Sequence, residues 1–329
     1  MKKKVLNVEY NEKKVEIPYF TLIGDSPGPQ IFLSGGMHGD ELNGIAVIDE
    51  FLDWAQKISL EDKLKGTIIA FPVLNPEGFS KMQREVPHDK KDLNRCFGIA
   101  SPTSISEQIG LELDKKLLSK TQLGIDFHDA GRRSILLPHA RVHVEDNDRT
   151  LNLGRIFGTQ LILKRKGKPN MMSVHLNDAY HIPVLTIEIG GGNRLFSEFI
   201  QIGVRGIRNI LDSLDMFPSK QIISENQFLL TDRLGAYAQK ASQIKMHVNL
   251  GEFVHSGEII GELYFPDTRE KKLLKSPKCG MIFTLCPRNQ IPEVDIMYSI
   301  LETKECHVPR NTTDKFMKLP EVKIKKIKM

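Results

Sequence analysis

Four short polar clusters in this 329-residue sequence carry side-chain types that can hold a metal ion and move a proton. The first is Gly35-Gly36-Met37-His38-Gly39-Asp40-Glu41. His38 and Glu41 are three residues apart at the start of a predicted helix, which brings their side chains together on one face. An imidazole nitrogen beside a carboxylate oxygen suits zinc, which takes such ligands at about 2.0–2.2 Å. Taken alone, the same residues also read as a capped helix start with an exposed histidine. The second cluster is Asp126-Phe127-His128-Asp129. Alternation in an extended segment puts Asp126 and His128 on one side, opposite Phe127. His128 can supply a third ligand and leave an open position for water, with Asp129 as a carboxylate partner that orients the ring. A strand-end histidine bonded to backbone is the alternative.

The third cluster is Lys91-Asp92-Leu93-Asn94-Arg95, preceded by Arg84. Arginine offers a planar fork that holds a carboxylate bidentately, and asparagine can support it; by itself the run also fits a solvated surface loop. The fourth is Thr186-Ile187-Glu188-Ile189-Gly190, where Glu188 interrupts an apolar strand. A carboxylate there is costly to bury unless it has a partner or faces a site. Beside metal-activated water it can act as general base and then return the proton to a leaving amine.

The elements that must position these clusters are predicted strands and helices in alternation. Strands are expected at 31–34, 67–73, 123–127 and 184–189, and helices at 42–58, 106–118 and 197–214. The strands end at Gly35-Gly36, at the turn Asn75-Pro76-Glu77-Gly78 and at Gly190–Gly192, so the polar clusters gather at or just past strand C-terminal ends, where open α/β sheets bind ligands. Such alternation indicates a layered α/β domain with a largely parallel sheet. After about residue 220 the segments shorten and helical periodicity fades. From Phe228 to Leu301 a small β-domain is expected. The loops at 129–150 and 165–180 show no pattern that can be interpreted.

Charged residues make up 26% and apolar residues 40%, an ordinary globular balance. Lys and Arg number 46 against 41 Asp and Glu, and part of that excess sits in the closing run Lys323-Ile324-Lys325-Lys326-Ile327-Lys328. So small and local an excess does not make the basic face that nucleic-acid binding needs. No run reaches the roughly 18–20 apolar residues of a membrane span. The basic start Met1–Lys4 has no uninterrupted apolar stretch behind it, which reads against a cleaved signal peptide. Cys96, Cys279, Cys286 and Cys306 are scattered and form no CxxC, so a reducing compartment is expected, with neither a disulfide framework nor a thiolate zinc site. A cytoplasmic protein with no nucleic-acid or membrane partner is the expectation.

Taken together, His38-x-x-Glu41, the Asp92-Leu93-Asn94-Arg95 run, His128 and Glu188 resemble the motifs of the succinylglutamate desuccinylase/aspartoacylase family, in the zinc carboxypeptidase clan. The resemblance implies an α/β fold whose mixed, largely parallel sheet is flanked by helices, followed by a small C-terminal β-barrel-like domain. It implies one zinc ion per chain held by His38, Glu41 and His128, with Glu188 as general acid/base. Asn94 and Arg95 would grip the substrate α-carboxylate, and Arg84 would stabilise the tetrahedral oxyanion. Relatives are frequently homo-oligomers, so that state stays open here. His88, His139, His143, His175 and His181 match no motif position and read as structural or surface residues. Relatives often carry a small residue where this chain has Asp129; the extra carboxylate is expected to favour a substrate with a cationic group.

The domain division that follows is 1–220 for the catalytic domain, 221–315 for the β-domain and 316–329 for a basic tail. Gly251–Gly261 and Lys275–Ile282 resemble a lipoyl/biotinyl-like barrel, but the tip Pro266–Lys271 lacks the Met-Lys-Met of a biotin carrier. Packing over the site mouth or forming a subunit contact remain as roles. The leading functional expectation is hydrolysis of the amide bond of an N-acylated amino acid. A carboxypeptidase-like hydrolase of short peptides or amino-acid conjugates shares the same grip on a free carboxylate. From another class, an inactive metal- or ligand-binding protein would have no need of the filled catalytic positions.

Overall fold

Alternating buried and exposed residues build the first hairpin of the chain. Leu6 and Val8 in β1 (Lys2–Tyr10) and Val15 and Ile17 in β2 (Lys13–Ile23) enter the core, while Asn7, Lys14 and Glu16 face solvent. The computed structural model describes residues 1–143, 148–224, 226–231 and 233–302; the basic tail and Cys306 lie outside them. The hairpin was not expected from the sequence. The predicted strand at 31–34 is the buried end of β3 (Ser26–Ser34), followed by α1 (Asn43–Lys57), β4 (Lys65–Phe71) and the short α2 (Pro76–Ser80). Then come α3 (Ile105–Lys116), β5 (Leu123–His128), β6 (Ile135–His143), α4 (Arg149–Phe157), β7 (Leu161–Arg165), α5 (Met172–Tyr180), β8 (Val184–Gly191), α6 (Ser197–Ser213) and β9 (Phe228–Leu230). The segments at 129–150 and 165–180, patternless in sequence, thus contain β6, the start of α4 and the whole of α5.

The main sheet runs in the order β1-β2-β4-β3-β5-β8-β6, with β7 pairing β6 and β9. Pairings β3–β4, β3–β5, β5–β8, β6–β7 and β7–β9 are parallel, whereas β6 runs antiparallel to β8. Because strand side chains alternate, Ile31 and Leu33 enter one apolar cluster with α1, α4 and α6, while Phe32 enters a second with α3, α5 and the first hairpin. Burying Val47, Ile48, Phe51 and Leu52 of α1 contributes about 1.5–3 kcal/mol for each side chain, which holds this helix on the sheet. Close approach at its start needs Gly44, where a Cβ would lie 2.6 Å from the Phe127 Cβ of β5. Gly39 is equally constrained, since a Cβ there would lie 2.0 Å from the carbonyl carbon of Gly78.

Every element from Phe228 to Glu302 is a strand, as expected for this region. Ser242–Met246, Ile259–Phe265, Glu270–Lys275 and Gln290–Ile291 form a four-stranded antiparallel sheet. Gly280–Leu285 instead joins the main sheet, with Thr284 opposite Leu136 of β6. The cysteine expectation needs correction: Cys96 and Cys286 are free, but Cys279 is disulfide-bonded. Among the described residues no helix is long and apolar enough to cross a membrane.

Candidate active site

The chain leaves β3 at Ser34 and turns back before α1, with the Glu41 N–H donating to the His38 carbonyl at 3.2 Å. His38 and Glu41 therefore sit in the turn ahead of the helix, whereas the sequence placed them on its first turn. The reason is that α1 starts at Asn43 and its leading N–H groups are already taken. Asp129 Oδ2 accepts from the backbone N–H of Leu42 at 2.9 Å and of Asn43 at 3.0 Å, as a carboxylate does well at a helix start.

That geometry brings His38, Glu41 and His128 together, with one ligand atom from each lying within 4.8 Å of the others. His38 Nδ1 is 2.7 Å from Glu41 Oε1, and His128 Nδ1 is 2.8 Å from Glu41 Oε2. The opposite ring nitrogens are also occupied: His38 Nε2 is 2.9 Å from Asp92 Oδ1, and His128 Nε2 is 2.8 Å from Asp126 Oδ2. Arg84 bridges the group, donating to Glu41 Oε1 at 3.0 Å and to Asp92 Oδ2 at 3.3 Å. Two imidazoles and a carboxylate converging through their inner atoms are a donor set of the kind zinc takes, with each imidazole fixed from behind by a second carboxylate.

Burial of His38, Glu41 and His128 is nearly complete, at 2%, 3% and 5% exposed, so each charge needs its partners. Burial alone would neutralise the imidazoles. The Glu41 carboxylate and Asp92 outweigh it at His38, and Asp126 with Glu41 holds His128 well above the ordinary histidine range. Burial likewise pushes Glu41 up, but His38 and His128 outweigh it and keep Glu41 well below the usual carboxylate range.

Asp129 does not orient the His128 ring; Asp126 does, anchored in turn by Ser34 Oγ at 2.7 Å. Asp129 Oδ2 also accepts from Asn43 Nδ2 at 3.0 Å, and Oδ1 accepts from the Gly131 N–H at 2.7 Å. With both oxygens turned to the helix start and the following turn, this buried carboxylate is committed to structure, which removes the basis for a cation preference at Asp129. Burial and nearby Glu41 push it up to about 7.

Asn94 sits beside the cluster, its Nδ2 3.5 Å from His128 Nε2 and its Oδ1 accepting from the Met172 N–H at 3.0 Å. The half-buried Arg95 donates to the Asn94 carbonyl oxygen. Glu188 lies in register between His128 of β5 and His139 of β6, so all three side chains share one face of the sheet. Arg141 donates to Glu188 Oε1 at 2.6 Å. Burial pushes Glu188 up, but Arg141, His128 and His139 outweigh it and hold the carboxyl below its ordinary range. Asp92 and Asp126, given no role from sequence, are the carboxylates behind the two imidazoles. For Asp126 the alternation with His128 already carried the signal; for Arg141 none was visible, because β6 was not read as a strand.

A model of the succinylglutamate desuccinylase/aspartoacylase catalytic domain matches residues 27–214. The N-alpha-acetyl-L-2,4-diaminobutyric acid deacetylase of Halomonas elongata is 26% identical over 254 residues, covering 74% of this chain and 73% of that one. Among solved structures, a succinylglutamate desuccinylase from Silicibacter sp. TM1040 superposes with a TM-score of 0.80 at 21% identity, over 92% of this chain and 95% of its own. The product-bound ectoine utilization protein EutE (DoeB) from Ruegeria pomeroyi gives 0.79 at 20% identity, over 91% and 94%. The structures share the fold, and the catalytic-domain match covers more than half of the 329 residues; this chain belongs to the succinylglutamate desuccinylase/aspartoacylase family.

Proposed function

We propose that the chain is a zinc-dependent hydrolase that removes an acyl group from the nitrogen of a small amino acid, with 1–220 as its catalytic domain. The observation that carries this reading is the buried convergence of His38, Glu41 and His128, with His128 sharing a sheet face with Glu188. The family match and the deacetylase relative support the same chemistry. His38 and His128 would hold the ion through Nδ1, the atoms now facing Glu41, and Glu41 through its carboxylate. When bound, zinc supplies a Lewis acid that polarises the scissile carbonyl and makes water acidic enough to react near neutral pH.

The remaining steps belong to the chain's own side chains. Glu188 takes the proton from the attacking water and returns it to the amine as the C–N bond breaks. Arg84 uses two of its five N–H donors on Glu41 and Asp92, which leaves donors for the carbonyl oxygen as it gains negative charge. Asn94 and Arg95 hold the α-carboxylate of the amino acid, fixing which bond lies over Glu188.

The test is amine release from a panel of N-acyl amino acids and dipeptides, with and without chelator. Chelator-sensitive release from acyl amino acids is the expected result, and release from dipeptides alone would replace it with the peptidase reading. Glu188→Ala should keep about one zinc per chain while turnover falls at least about 10²-fold. Unchanged turnover would remove Glu188 from the mechanism.

A further inference from the structure

His175 matches no motif position in the sequence, yet it joins α5 to α3 behind Asn94. Its Nε2 lies 2.8 Å from Asp114 Oδ2 of α3, and the Tyr180 hydroxyl donates to the same oxygen at 3.0 Å. Asp114 is buried, and both hydrogen bonds that its carboxylate makes among the described residues go to α5. A carboxylate is costly to bury without such partners. These two bonds are directional, so they fix the rotation and axial position of α5. Apolar packing alone, with Met172 and Leu176 in one cluster with Leu93 and Phe97, would leave the helix freer to slide.

The start of α5 faces Asn94. The first N–H groups of a helix have no partner inside it, and Met171, just ahead of this one, supplies no side-chain cap. Asn94 Oδ1 fills that place by accepting from the Met172 N–H at 3.0 Å. With the oxygen engaged, the donor atom Nδ2 is the one turned toward His128. The Asn94 backbone is fixed separately, its N–H donating to Asp92 Oδ1 at 2.9 Å, so the Met172 N–H decides which way round the amide sits. A second clasp holds this register. The Phe97 N–H donates to the Asn170 carbonyl at 3.3 Å, and Asn170 Nδ2 donates to the Phe97 carbonyl at 2.8 Å. Asn170 has φ 61°, in the left-handed region that asparagine enters more readily than most residues. Gly98 then passes so close to the His175 ring that a Cβ would lie 2.6 Å from Nδ1.

We infer that Asn170 and the Asp114–His175 pair are positioning residues, which hold the Met172 N–H against Asn94 Oδ1 and so keep the Asn94 N–H donors turned to the substrate. The inference rests on the proposed grip of Asn94 on a carboxylate. Without this support the amide is free to turn over and present its oxygen, which repels a carboxylate. His38, Glu41, His128 and Glu188 keep their own partners, so the loss falls on substrate binding.

Three variants of the full zinc-loaded chain test this. Asn170→Gly keeps the left-handed backbone accessible and removes the side-chain bond, His175→Ala removes the link to Asp114, and His175→Gln keeps a donor that reaches it. For the best-cleaved acyl amino acid, KM should rise about fivefold or more in the first two, since a hydrogen bond to a charged group is worth at least about tenfold. Their kcat should change by less than about threefold, the pattern of lost uniform binding, and His175→Gln should recover most of the loss. The same acyl amine without its α-carboxylate should be cleaved by all three as by the parent. In an Asn94→Ala background the substitutions should add no further rise in KM. Equal losses on both substrates, or full additivity with Asn94→Ala, would overturn the inference. Hydrogen exchange at the Met172 amide needs no turnover and should quicken at least about tenfold in Asn170→Gly and His175→Ala, as that N–H loses its acceptor. Unchanged protection would also overturn it. If the parent cleaves no acyl amino acid, the deacylase reading falls by itself, and calorimetric titration of free L-amino acids decides the inference. Affinity weakened in Asn170→Gly and His175→Ala upholds it, whereas equal affinity, or no binding by the parent, overturns it.

Discussion

The two sides of the candidate site meet opposite charge problems across a single strand spacing. On the β3–β5 side, Glu41, Asp92 and Asp126 surround two imidazoles with Arg84 as the one guanidinium bonded to them. On the β8–β6 side, Arg133, Arg141, Arg165 and Arg233 outnumber the carboxylates Glu188 and Asp295. The first side is internally matched only while both imidazoles are protonated. With neutral imidazoles, three carboxylates against one guanidinium leave two negative charges, the complement of a divalent cation. The raised proton affinities of His38 and His128 express the same arithmetic, since two protons stand where two positive charges are wanted. The arginine side carries the opposite imbalance, with Glu188 paired to Arg141 at its edge. The comparison teaches that neighbouring strands of one sheet can carry a cluster short of positive charge and a cluster rich in it, with the Arg141-paired Glu188 between them.

The largest expected effect comes from breaking the acidic side at its centre. Glu41→Gln removes the carboxylate that faces both Nδ1 atoms, and zinc affinity should fall by more than about 100-fold, because loss of even an outer carboxylate costs about 10–100-fold. Equilibrium dialysis against a chelator buffer reads this directly, and zinc retained at parental affinity would remove Glu41 from the donor set. Next in size is Asp126→Asn, which leaves the three inner ligands in place and weakens the support behind His128. Affinity should drop about 10–100-fold. Fewer protons should also leave on zinc uptake, because the His128 imidazolium loses the partner that does most to stabilise it. Proton release measured in buffers of different ionisation enthalpy checks the second point, and an unchanged count would break the charge-matching argument.

Legibility in the sequence differed between the two sides for a physical reason. β5, β8 and the end of β3 from Ile31 to Ser34 are buried on both faces, so they read as apolar runs in which His128 and Glu188 stand out as isolated polar residues. Their clusters at strand ends were therefore visible without any knowledge of pairing. β6 has one face lined by His139 and Arg141 and contains Pro138, so neither an apolar run nor a clean alternation survives. Without β6 as a strand, Arg141 had no address, and the arginine cluster could not be foreseen. The first hairpin is a different case, since Leu6, Val8, Val15 and Ile17 do alternate but are diluted among lysines and glutamates. Asp129 was misread because helix-start N–H groups recruit a carboxylate from far along the chain, a partnership that spacing does not encode.

A smaller effect separates the two sides at Glu188 itself. Burial pushes this carboxyl toward its neutral form, and the strongest opposing influence is Arg141, ahead of His128 and His139. Arg141→Met should therefore raise the Glu188 pKa while leaving the zinc ligands untouched. A base whose pKa is held low stays ionised as pH falls, so raising the pKa brings protonation, and loss of the base form, at higher pH. The acid limb of the kcat/KM profile should accordingly move up, and the variant should lose a larger share of its activity than the parent as the pH is lowered. Zinc content at neutral pH should not change. A limb that stays in place would mean that the imidazole side, rather than the arginine side, sets the charge of Glu188, and the boundary between the two regions would then lie beyond β8.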